Sequence, residues 1–172
     1  KAWTYWNKHN GLIDGEIYEL NWINNKLWIG TQNGISIFDT KNQTFTNFNN
    51  KNSGLTSKWI FDINQLNNTV YIATDGGIYE YINDNFQYLP VVTGNAYSVL
   101  PFKSNKLIIT TNTGLKVYNT ENKTTLTLTA TDGLASDEFN FRLSALFLNP
   151  PSNHKCMVID HFNLIHISKI VI

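Results

Sequence analysis

The chain has 172 residues, 42% hydrophobic and 13% aromatic, with Lys plus Arg and Asp plus Glu both at 13 and a formal net charge of zero. That is enough apolar material for one packed domain or a short repeat array, and it excludes disorder despite the many asparagines. The balanced charge offers no basic patch for nucleic acid, no apolar run is long enough to enter a membrane, and the lone cysteine, Cys156, excludes an internal disulfide.

The first apolar segment, "WTYWN", reads as a strand of D type with no A, B or C strand before it. After the loop "NGLIDGE" come four short β-branched and aromatic runs: A at 17–23, B at 27–31, C at 35–39 and D at 44–48. "SGLTSK" opens the same series again, with A at 59–65, B at 70–74, C at 78–82 and D at 86–89. The third copy follows "TGN", with A at 97–102, B at 107–111, C at 115–119 and D at 124–129. "DGL" opens the last, with A around 139–148, B at 156–160, C at 164–168 and only "KIVI" left for D.

Two landmarks keep one beat. The turn glycines Gly34, Gly77 and Gly114, with Asn163 in the worn fourth copy, recur roughly every 40 residues, as do Gly11, Gly54, Gly94 and Gly133. No window holds a helical apolar stripe free of turn signals, so paired-helix repeats are rejected. The prediction is all-β: a β-propeller of about four four-stranded antiparallel blades, at approximately 10–50, 53–91, 94–130 and 132–172, within a single domain over 1–172. Either the two ends share one blade and close the ring, or the chain is the C-terminal part of a larger propeller, seven-bladed for example.

At "LWIGTQNGISIFD", preceded by "NGLIDGEIYEL", the chain resembles the two-component regulator propeller repeats of hybrid sensor kinases in Bacteroidetes. "TDGLASDEFNF" is similar to the last-blade signature of those sensors, although His161 and Asn163 stand where that signature expects glycines. The resemblance spans essentially the whole chain. It implies a periplasmic or extracytoplasmic sensing domain in two-component signal transduction. The expected ligand is an oligosaccharide or another small molecule, with a homodimer or an envelope protein as a possible partner. A non-catalytic docking propeller in a cell-envelope complex is the alternative, and a propeller lyase or glycosidase the third reading.

Antiparallel order A-B-C-D puts the D–A and B–C connections at one end of every blade, so the Gly-Leu loops and Thr-x-x-Gly turns share a face. That face collects the candidate ligand-binding residues Asp14, Gln32, Asn33, Asp75, Asn112, Asp132, Asp160 and His161, with Asp137 and Glu138 nearby. The same residue types are what hairpin and Asx turns need whatever the function. Trp22, Trp28 and Trp59 fall in or beside strands and are expected in inter-blade packing, while Trp3 and Trp6 are candidates for exposure. His154, Cys156, Asp160, His161 and His166 are crowded but lack any metal-ligand spacing, so neither metal nor cofactor is expected. Asp137 and Glu138 would point apart on a strand, and no nucleophile motif is present, so the domain is read as non-catalytic.

Overall fold

The computed structural model of this chain describes residues 3–134 and 136–139, and the backbone alone of Cys156–Asp160 and Asn163–Ile167. Three four-stranded antiparallel sheets follow one another in chain order. The first holds β1 (Ile17–Ile23), β2 (Lys26–Thr31), β3 (Gly34–Asp39) and β4 (Thr44–Phe48). The second holds β5 (Ile60–Leu66), β6 (Thr69–Thr74), β7 (Gly77–Ile82) and β8 (Asn85–Leu89). The third holds β9 (Ala96–Phe102), β10 (Lys106–Thr111), β11 (Gly114–Asn119) and β12 (Thr125–Leu128). A hairpin, β13 (Cys156–Asp160) with β14 (Asn163–Ile167), belongs to the fourth repeat, and the remainder of that repeat beyond Phe139 lies outside the described residues. No described helix is long and apolar enough to cross a membrane.

Strand order within each sheet equals sequence order, so every connection is a hairpin. The A–B turn of the first sheet carries Asn24 and Asn25 at φ 50 and 61, and the C–D turn of the second carries Asn83 and Asp84 at φ 51 and 60. Two consecutive positive φ values twist a two-residue turn in the sense of the strands it joins, and Asn and Asp tolerate them best.

The sheets stack face against face. Between the first and second, Ile23, Trp28, Ile35 and Ile37 meet Ile60, Ile63, Val70 and Ile72, with Leu55 of the connecting loop wedged among them. Between the second and third, Tyr71, Ala73, Ile78 and Leu89 meet Val99, Leu107, Ile109 and Tyr118. The outer face of the third sheet packs Ile108, Leu115 and Val117 under Leu134 and Phe139 of the next loop. Inner strands β1, β5 and β9 lie side by side, linked by side chains that cross from blade to blade. Asn21 donates to the Ile63 carbonyl at 2.7 Å, and Asp62 accepts from Ser98 Oγ at 2.8 Å and from the Val99 amide at 3.0 Å. These are propeller blades, innermost strand first.

Predicted and observed strands agree to within about a residue, and the departures are informative. Trp3–Asn7 forms no strand. Instead the Tyr5 carbonyl accepts from the Asn10 side chain and the Asn7 carbonyl from the Asn10 and Leu12 amides, while Trp6 lies on Phe38 with ring centroids 4.7 Å apart. The polypeptide here is tied up by a loop and by aromatic packing rather than by a ladder. Trp28 is buried between blades as expected, but Trp22 and Trp59 are not, being 56% and 37% exposed. Trp22 shares the outward face of β1 with Leu20, which is 57% exposed where its counterparts Ile63 and Val99 are fully buried. Trp59 sits just before β5 rather than inside it.

Candidate functional site

The threonine of each Thr-x-x-Gly turn closes the turn itself. Thr31, Thr74 and Thr111 donate from Oγ1 to the carbonyls of Gly34, Gly77 and Gly114, each at 2.8 Å. The same oxygens accept from the amides of Asn33, Gly76 and Thr113 at 3.0–3.2 Å. All three threonines are fully buried. The glycine follows at φ 110–121, a region that side chains avoid, and a Cβ on Gly34 or Gly114 would collide with a backbone carbonyl of the neighbouring D strand.

Against these turns fold the Gly-Leu loops, so the two kinds of connection form one rim, as strand direction requires. The Ile13 amide donates to Ser36 Oγ, the Gln32 amide to the Glu16 carbonyl, and the Asp75 amide to the Trp59 carbonyl. In the third blade the loop before β9 is shorter. There the turn is met by the following loop instead, through Gly114 donating to the Asp137 carbonyl and Phe139 donating to that of Thr111.

Most predicted site residues are spent on building this rim. Asp14 is 5% exposed and accepts from the Glu16 amide at 3.0 Å, from Asn33 Nδ2, and from Lys8 Nζ at 3.0 Å. Those partners, the Glu16 amide first, hold its carboxyl down to about 2. Asp75 accepts from the amides of Lys58 and Trp59 at 3.2 and 3.3 Å. Asp132 accepts from the Thr129 amide at 2.9 Å and caps a single 3-10 turn at Ala130–Asp132. Asp137 accepts from the Ala130 amide, and Glu138 is exposed. Gln32 is half-buried, while Asn33 and Asn112 are exposed. Asp160 ends β13 opposite Asn163, and His161 lies outside the described residues. Among the described residues no group of three His, Cys, Asp or Glu is arranged to hold a metal; His154 lies outside them, and Cys156 and His166 are described by backbone alone.

What sequence reading missed is a row of aromatic rings. Each described inner strand carries a β-bulge at one and the same place: between Ile17 and Glu19, between Ile60 and Asp62, and between Ala96 and Ser98. The extra residue is Tyr18, Phe61 or Tyr97. Its neighbours on both sides are buried in the second and third blades: Ile60 and Ala96 at 0%, Asp62 at 5%, Ser98 at 0%. The bulged aromatic stays half-buried in all three.

These rings touch across blades. Tyr18 stacks on Trp59 with centroids 5.4 Å apart and an interplanar angle of 28°, and meets Phe61 edge-on at 6.4 Å. Trp59 lies 6.1 Å from Phe61, and Phe61 lies 5.4 Å from Tyr97. Polar groups stand at the two ends: Tyr18 Oη is 3.5 Å from a Glu16 carboxylate oxygen, and Asn95 Nδ2 donates to Tyr97 Oη at 2.9 Å. The signal in the sequence was an aromatic at the second place of each A strand, hidden because strand composition favours aromatics anyway.

Among solved structures, the chain is similar to the extracellular domain of the hybrid two component system BT4673 from B. thetaiotaomicron, with 21% identity and a TM-score of 0.63 over 91% of this chain and 22% of that one. It is similar to the computationally designed Ika8 protein, with 14% identity and a TM-score of 0.55 over 91% and 50% of the two chains. It is also similar to PorZ, a bacterial surface component of the type-IX secretion system of Porphyromonas gingivalis, with 13% identity and a TM-score of 0.52 over 90% and 32%. The chain thus spans about a fifth of the first of these and half or less of the others. At such identities the likeness is one of fold. No protein-family model and no curated protein matches the chain.

Proposed function

We propose that this chain is the sensing part of an extracytoplasmic receptor of two-component type, binding an oligosaccharide or other small ligand on the loop-and-turn rim. Its role is recognition rather than catalysis. The observation that carries the reading is the rim itself. Three blades contribute the same turn, a loop packed against it and a half-buried aromatic to one end of adjacent inner strands, and loop-bearing ends with a few polar groups are where such scaffolds bind. The repeat motifs and the fold shared with an extracellular two-component domain support the sensor role. Occupancy would be transmitted through the hydrogen bonds that join neighbouring inner strands, from Asn21 to Ile63 and from Ser98 and Val99 to Asp62.

The second reading is a docking platform in an envelope assembly, favoured by the fold shared with a surface component of a secretion system. Calorimetric titration against glycans and small polar solutes separates the two. Saturable heat with a glycan supports the sensor. Silence across the panel, with a stoichiometric complex formed by a purified envelope protein, supports the platform.

A further inference from the structure

We infer that Tyr18, Trp59, Phe61 and Tyr97 form a stacking platform for a neutral oligosaccharide, whose sugar rings lie flat on the aromatic row at the inner end of the rim. The inference rests on the sensing reading above and gives it a place and a ligand chemistry. A regular strand would send each second residue of β1, β5 and β9 into a blade interface, as it sends Ile63 and Val99, which are fully buried. The bulge removes one residue from the alternation and re-aims it, at the cost of a disrupted ladder. That cost recurs in all three described blades at the same register, and each time the re-aimed residue is aromatic.

Packing alone does not account for the row. Trp28, Tyr71, Tyr79, Phe86 and Tyr118 in the blade cores are 2–4% exposed, and the half-buried rings Phe48, Tyr81 and Phe102 still lie against those cores. The bulged rings are half-buried, and Trp59 is 37% exposed while stacked on Tyr18. The partly exposed rings carry hydroxyl, amide and carboxylate groups at their edges, from Tyr18, Tyr97, Asn95 and Glu16. A sugar ring has the complementary surface, with C–H groups on a face and hydroxyls around the edge.

Charge narrows the class. The described loops and turns of this rim carry Asp14, Glu16, Asp75, Asp132, Asp137 and Glu138, against Lys8, Lys51 and Lys58. Lys8 is already paired with Asp14. Nucleobases also stack on aromatic rings, but their phosphates need a cationic groove, and the described part of this rim carries none. Sulfated and uronic chains are disfavoured for the same reason.

The test is titration calorimetry of the chain with cellohexaose, xylohexaose and mannohexaose, and with hexagalacturonate as the anionic comparison. The expected result is binding of a neutral hexasaccharide in preference to hexagalacturonate. Affinity should fall about tenfold or more in Trp59→Leu and in Phe61→Leu, which keep apolar bulk but lose the flat face. Trp59→Phe should retain most of it, and Tyr88→Leu, an exposed aromatic on outer strand β8, should bind as the parent does. Thermal melting of each variant identifies any loss that comes from unfolding. If a neutral hexasaccharide binds and both leucine variants bind it equally well, the platform is overturned while the sensing reading stands. Binding of hexagalacturonate alone overturns the neutral class. Absence of binding to every glycan overturns the platform and leaves the sensing reading to be decided by the small polar solutes.

Discussion

Two threonines adjacent in the sequence show how much a single hydroxyl depends on its surroundings. Thr111 Oγ1 donates to the Gly114 carbonyl and accepts from Thr113, so Thr111→Val should lower stability by about 1–3 kcal/mol in urea unfolding. Thr110 Oγ1 is buried without a hydrogen-bond partner, so Thr110→Val should be neutral or stabilising by about 1 kcal/mol in the same assay. In the string "TTNTG" the Thr-x-x-Gly spacing picks out Thr111 as the clamp, but that Thr110 is buried without a partner follows only once register is known. Carboxylates divide in the same way. Asp14 is held down to about 2 by the Glu16 amide, Asn33 and Lys8. Its contribution is present above the ordinary carboxyl value of 3.8 and is lost as pH falls toward 2. Asp62 is raised by burial between β5 and β9, against the pull of four hydrogen bonds. Its contribution is complete below the ordinary value and is lost as pH rises through its folded value. Melting temperature followed from pH 5 downward should therefore drop less steeply in Asp14→Asn than in the parent, and equal slopes would contradict the assignment.

Hairpins were the most legible elements. The Thr-x-x-Gly turn carries its own chemistry, a hydroxyl clamp and a positive-φ glycine, so β2 with β3, β6 with β7 and β10 with β11 could be drawn from the string alone. Bulges were not legible. An extra residue in a short strand changes neither composition nor length enough to show, and alternation over seven residues does not resolve it. Tryptophans illustrate the same limit. Trp22 and Trp28 both lie in strands beside apolar residues, yet Trp28 is 4% exposed and meets Tyr81 edge-on at 5.0 Å, while Trp22 is 56% exposed. Trp28→Ala should thus cost about 3–5 kcal/mol through the cavity it opens between two sheets. Measured by denaturant unfolding, Gly114→Ala should cost about 1 kcal/mol or more, because its φ of 113 and the nearby Leu128 carbonyl leave no room for a Cβ. The N-terminal segment failed as a strand for a related reason, since its aromatic composition serves packing on Phe38 and Phe45 equally well.

For the whole molecule, the repeat fixed the architecture before any contact was known, because a sheet with two apolar faces must be covered on both by further sheets. It did not fix the site. The polar residues that stood out in the sequence, Asp14, Asn33, Asp75 and Asp132, hold the rim together, and the surface they position is aromatic. The surface we infer to meet the ligand is this inner aromatic row. The most direct test of that inference is an NMR map of the shifts induced by a binding hexasaccharide. The largest shifts are expected in the rings of Tyr18, Trp59, Phe61 and Tyr97 and in the amides of Glu16 and Asn95. Shifts centred on the turns at the opposite end, Asn24–Asn25 and Asn83–Asp84, with those rings unmoved, would contradict it.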